Sequence, residues 1–135
     1  MKNRLLLLMA CTFATLSLFA PAFAANLGTA NDYNLFVFED FYAQTGSGIG
    51  GNVAIGGNAY MSSYSVARQL QGNNAKLVVD GDLTWEVYGT VGNDGSGNIY
   101  VGGTSNIRPN TVAYNEPCLP QNIVDFSAAR SYLNQ

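Results

Sequence analysis

Three segments of this chain repeat one short template, and their spacing constrains the fold more than any other feature. Val53-Ala54-Ile55-Gly56-Gly57-Asn58-Ala59 aligns with Leu77-Val78-Val79-Asp80-Gly81-Asp82-Leu83, and both align with Ile99-Tyr100-Val101-Gly102-Gly103-Thr104-Ser105. The central apolar residues Ile55, Val79 and Val101 follow one another at 24 and 22 residues. That is too far for hairpin partners and close to one coil of a β-solenoid. Strand alternation sends the first and third residue of each copy inward and the second, Ala54, Val78 or Tyr100, outward, while the glycine turns a corner without a Cβ clash. Tyr60 to Val66 and Glu86 to Val91 supply a second strand per coil. A β-sandwich with three similar strands is the alternative.

The chain opens with Lys2 and Arg4, the apolar stretch Leu5 to Phe19, and the small-residue site Ala22-Phe23-Ala24. This pattern predicts a secretory signal peptide over residues 1 to 24. Thr12, Thr15 and Ser17 interrupt the stretch, which falls short of the roughly 20 apolar residues of a membrane span. No transmembrane segment is expected after cleavage. Leu8-Met9-Ala10-Cys11 loosely resembles a lipidation site, but the apolar region before Cys11 is short. With the leader removed, Cys118 is a lone thiol, suited to a buried apolar role, an intermolecular bridge, or a partner beyond Gln135.

Removing the leader takes away two basic residues and leaves four basic and nine acidic ones, a net charge of −5. Such a chain lacks the cationic footprint that nucleic acids or anionic lipids require. The sequence has no His, which removes His-based triads, most zinc sites and imidazole switches together. Its 15 Gly, with as many Asn less one in the mature part, mark many tight corners, and 8 Tyr with abundant Val and Ile argue for order. The fold class expected is all-β.

The ends differ from the repeats. Asn34-Leu35-Phe36-Val37-Phe38-Glu39-Asp40-Phe41 reads as an aromatic-rich strand able to cap the first coil. After Pro117 and Pro120, the residues Phe126, Ala129 and Leu133 fall at helical spacing behind Asp125, a candidate N-cap, and predict a short α-helix.

Leu27-Gly28, Asp32 to Phe41, Gly51 to Ala59, Val79 to Leu83, Ile99 to Gly103 and the helix near Asp125 together resemble the choice-of-anchor A domain of bacterial surface and secreted proteins. The resemblance spans nearly all of residues 25 to 135. It implies a right-handed parallel β-helix with an adhesive role. Family members run past this helix into further strands and an anchor, so residues 25 to 135 resemble the N-terminal half of such a domain, truncated at the C-terminus. An open final coil would then promote self-association through its C-terminal edge, with Cys118 able to record it as a disulfide.

Several residues have side chains that could do chemistry. Asp80 and Asp82, near Glu86, form a weak acidic-site candidate for acid/base work on a sugar or for calcium, with Lys76 the nearest base. Asn58 and Thr104 stand where Asp82 does in the other copies, so a solvated corner is the bland reading. Asn93-Asp94-Gly95-Ser96-Gly97-Asn98 resembles a single fragment of a calcium loop and reads better as a hydrophilic turn. Thr90, Thr104 and Thr111 do not recur at the coil period, as an ice-binding ladder would need. Tyr60, Tyr64, Trp85, Tyr88 and Tyr100 are candidate ligand contacts, with Tyr114 a sixth aromatic in the coils, since outward aromatics stack on sugars or anchor proteins. They could equally brace neighbouring strands.

The function expected is an exported, non-catalytic adhesive or matrix-associated module without cofactor or metal, secreted or at the cell surface. Its partner would be an extracellular glycan or matrix protein. A polysaccharide-processing β-helix enzyme using Asp80 and Asp82, or a non-functional truncated remnant, are the alternatives.

Overall fold

The repeated template becomes a stack of strands in a computed structural model that describes residues 26–44 and 46–135. The expected leader lies outside the described residues. The first coil comprises β1 (Leu35–Val37), β2 (Phe41–Ala43) and β3 (Ser47–Gly48), and the second comprises β4 (Val53–Ile55) and β5 (Ala59–Ser65). The third comprises β6 (Lys76–Val79) and β7 (Leu83–Thr90), and the fourth β8 (Asn98–Val101), β9 (Ser105–Ile107) and β10 (Val112–Ala113). A final strand, β11 (Leu119–Pro120), precedes the helix α1 (Phe126–Leu133).

Every strand pairing is parallel, and the first sheet runs β1-β4-β6-β8-β11. Val53 pairs with Leu77 and Leu77 with Ile99, while Ile55, Val79 and Val101 align likewise, as the template alignment requires. The second sheet has β5 between β2 and β7, with β9 and β10 along successive parts of β7. The fold is thus a parallel β-solenoid of about four turns carrying one short helix. The aromatic-rich N-terminal strand ends the stack as its first rung: β1 pairs with β4, and the chain turns at Phe38 to Asp40 into β2.

Inward residues of both sheets fill the lumen. Val53, Ile55, Leu77, Val79 and Ile99 meet Ala59, Leu83 and Trp85, all wholly buried. Each large member contributes about 1.5–3 kcal/mol by leaving water. Corners repeat their bonding from coil to coil. The amide of Gly81 donates to the Gly57 carbonyl (3.0 Å) and that of Gly103 to the Gly81 carbonyl (2.9 Å). A Cβ on Gly81 would stand 2.8 Å from the Gly57 oxygen, so the corners stack only without side chains at these positions.

One expectation is corrected. The second residue of each template copy points out of the lumen but does not reach solvent: Ala54 and Val78 are wholly buried and Tyr100 is half-buried. Val124 and Phe126 cover them, joined by Tyr33, Phe36 and Phe38 in a second apolar cluster on the outer face of the first sheet. The helix lies along the side of the solenoid, over its first rungs. Asp125 caps it, its Oδ1 accepting from the Ala128 amide at 2.8 Å. Phe126 and Ala129 are buried, whereas Leu133 remains 39% exposed and contributes little. The Phe126 ring lies 5.2 Å from that of Phe36. Arg130 sits 4.6 Å over the Phe38 ring and pairs with Glu39, and Tyr132 packs on Gly28.

Candidate ligand-binding surface

Among the described residues, no helix lies over the outer face of the second sheet. In β2, Tyr42 is exposed beside buried Ala43, and in β5 Tyr60 is exposed between buried Ala59 and Met61. Register carries this outward position on to Thr84 in β7 and Asn106 in β9. The resulting ladder, Tyr42, Tyr60, Thr84, Asn106, runs along the solenoid axis. Its two rings are stacked, with centroids 4.8 Å apart and planes 6° from parallel, and they are 61% and 39% exposed. Partial desolvation, with Asp40 and Tyr60 nearby, pushes the Tyr42 phenol above its ordinary pKa, so it carries its proton at neutral pH.

Gln44, Ser62 and Glu86 flank the ladder and, with Tyr42, Tyr60 and Thr84, line a depression of about 130 Å³. A second depression, about 490 Å³, adjoins it through Thr84 and Glu86 and continues past Asn106 to Arg108. Between Met61 and Ser63 the β5/β7 register slips by one residue, so the strand bulges near Glu86 and Val87. Such bulges re-aim side chains.

Of the residues singled out in the sequence, Tyr60 and Glu86 come together here. Tyr88, 63% exposed, lies beyond the bulge and lines neither depression. Trp85 is wholly inside the lumen, its indole N–H donating to the Ser62 carbonyl at 3.0 Å. Tyr64 is half-buried against the core, edge-on to Phe41 at 5.9 Å, and its phenol pKa is raised by burial. Tyr100 belongs to the helix-covered face and, with Tyr33, Asp32 and Lys76, edges an open trough of about 590 Å³. Tyr114 is half-buried beside Cys118; burial first, then Cys118 and Glu116, push its phenol up to about 12. Cys118 is a free thiol with its Sγ 3.3 Å from the Ser105 hydroxyl.

Asp82 holds a backbone amide, and Asp80 holds the side chain of Gln121. Asp82 Oδ1 accepts from the Thr104 amide at 2.6 Å, one step of a corner ladder. In the preceding steps Asp40 accepts from the Asn58 amide (2.7 Å) and Asn58 from the Asp82 amide (2.9 Å). Asp80 Oδ1 accepts from Gln121 Nε2 at 2.6 Å, and Gln121 Oε1 in turn accepts from the Ile123 and Val124 amides. Asp94 closes its own turn through Ser96, whose hydroxyl donates to it at 2.6 Å and draws its pKa below the ordinary value. Among the described residues, no group of three or more His, Cys, Asp or Glu is placed to hold a metal ion.

Sequence reasoning missed Tyr42 and Gln44. A signal was present: Asp40-Phe41-Tyr42-Ala43 repeats the corner acceptor, apolar residue, Tyr, apolar residue order of Asn58-Ala59-Tyr60-Met61.

No curated protein and no solved structure matches the chain. A family model does, over residues 26–135, and so over the whole solenoid and its helix. Its description agrees with the adhesive class expected from sequence, without carrying the choice-of-anchor name. By that match the chain belongs to the family described as the putative ice-binding-like adhesive domain.

Proposed function

We propose that this chain is an exported, non-catalytic adhesive module that acts outside the cell or at its surface. It would hold an extracellular glycan or matrix protein against the outer face of the second sheet. The family match over residues 26–135 carries this reading. The geometry supports it further: the exposed aromatic stack lies on the face that the helix leaves open, while Asp82 is committed to a backbone amide and Asp80 to the side chain of Gln121. Among the described residues, no helix is long and apolar enough to cross a membrane.

The test is binding of purified residues 26–135 to immobilised glycans and matrix proteins, run beside an assay for new reducing or unsaturated ends on acidic and neutral glycans. Saturable binding without product is expected. Turnover that disappears in Asp82→Asn would overturn the reading in favour of a polysaccharide-processing enzyme.

A further inference from the structure

We infer that the Tyr42–Tyr60 stack and the depression beside it form a subsite for a pyranose ring of an uncharged glycan chain lying along the solenoid axis. This rests on the adhesive reading and names its ligand class and its site. Tyr42 covers one face of the Tyr60 ring, and the opposite face turns toward Thr84, whose short side chain does not continue the stack. The depression runs beside both rings and takes in Thr84 at the step where the stack stops. A sugar ring suits that step because its C–H face packs on an aromatic face while its rim of hydroxyls needs polar partners. Gln44, Ser62, Thr84 and Glu86 supply an amide, two hydroxyls and a carboxylate around the same depression.

Charge narrows the class. Glu86 is the acidic side chain lining the depression and, among the described residues, no basic one lines it, so a uronate or sulfated sugar would meet repulsion there. The first cation along the path is Arg108, in the adjoining depression. That continuation past Asn106 gives a chain of several rings a track along the rungs, which are spaced about 4.8 Å apart.

The experiment is titration of residues 26–135 with neutral gluco-, manno-, galacto- and N-acetylglucosamine oligosaccharides of three to six units, with an oligogalacturonate of matched length as the acidic probe. Binding of at least one neutral series in preference to the acidic one is expected. Tyr42→Ala and Tyr60→Ala should each weaken it about tenfold, the scale of one lost aromatic contact. Tyr60→Phe should stay near wild type. All three should remain folded, the alanine variants losing no more than the few degrees that one stacked ring pair supplies and Tyr60→Phe keeping the wild-type transition. Neutral-glycan binding unchanged in the Tyr42→Ala/Tyr60→Ala double variant would overturn the site and leave the adhesive reading intact. Matrix-protein binding with no glycan binding, or preference for the uronate, would overturn the ligand class alone. Binding to none of the glycans or matrix proteins would overturn both.

Discussion

Placing a carboxylate at position 54 separates two kinds of buried residue in this fold. Ala54 faces away from the lumen and is wholly buried in the apolar cluster that Val124 and Phe126 complete. If Ala54→Asp kept the helix docked, an unpaired acid would be forced into an apolar site. Raising its pKa by 3–5 units would cost about 4 kcal/mol at pH 7, where the acid takes up a proton and the cost stops rising. The helix offers a cheaper escape. Undocking gives up the burial of Val124 and Phe126, about 3–6 kcal/mol together. It also releases the conformational freedom of the tail, which offsets part of that loss.

We therefore expect a net cost of ~2–3 kcal/mol, with the solenoid still folded and its melting midpoint about 10 °C or more lower. Hydrogen exchange read residue by residue should show residues 124–133 losing protection while β4, β6 and β8 keep theirs. Val79→Asp faces the lumen, where no mobile element can move aside, and should leave no folded protein. Asn106→Asp, on the open face, should change stability by no more than about 0.5 kcal/mol. A protected helix and an unchanged midpoint in Ala54→Asp would refute the covered-face reasoning.

Other outcomes follow from the corners and the C-terminal end. Asp82→Asn should stay within about 0.5 kcal/mol of wild type, since Asn58 performs the same acceptance one coil earlier, whereas Asp82→Ala should lose about 1 kcal/mol, water partly replacing the bond to the exposed Thr104 amide; urea midpoints decide it. The phenol of Tyr114 is raised in the folded state, so its contribution is fully present below the ordinary value of 10.0 and is lost as pH rises toward about 12. Alkaline unfolding should accordingly shift to higher pH in Tyr114→Phe, and phenolate absorbance with circular dichroism reads both events. Light scattering of oxidised and reduced protein tests association through the C-terminal edge, where β9 and β10 end the second sheet and β11 ends the first. We expect concentration-dependent association, and a monomer at all concentrations in both redox states would refute it.

The sequence made the coils readable because stacked parallel strands force equivalent residues into register. Val53, Leu77 and Ile99 align in space as they do in the template. The helix was readable from Phe126 and Ala129 with an acid placed to cap it. Strand alternation tells which way Ala54 points, but what packs there arrives about seventy residues later, and no local pattern encodes that contact. The first coil was obscured by its length: Leu35 pairs with Val53 across 18 residues rather than the 24 or 22 between the other copies. With that rung read as a cap, Tyr42 lost its alignment to Tyr60 and the aromatic stack went unseen. Composition flags aromatics without separating Trp85, which fills the lumen, from Tyr60, which does not.

The helix returns to the beginning of the stack, with Phe126 against Phe36, Arg130 against Phe38 and Glu39, and Tyr132 against Gly28. In an open linear array each coil touches only its neighbours, so the ends fray first and melting proceeds piecemeal. Here the helix is fastened to the first rung, so loosening either one weakens the hold on the other. That closure turns a one-dimensional row of coils into a ring of mutual dependence. Heat or denaturant should therefore dismantle it in one cooperative transition, and the rung that carries Tyr42 is kept from being the first to peel away.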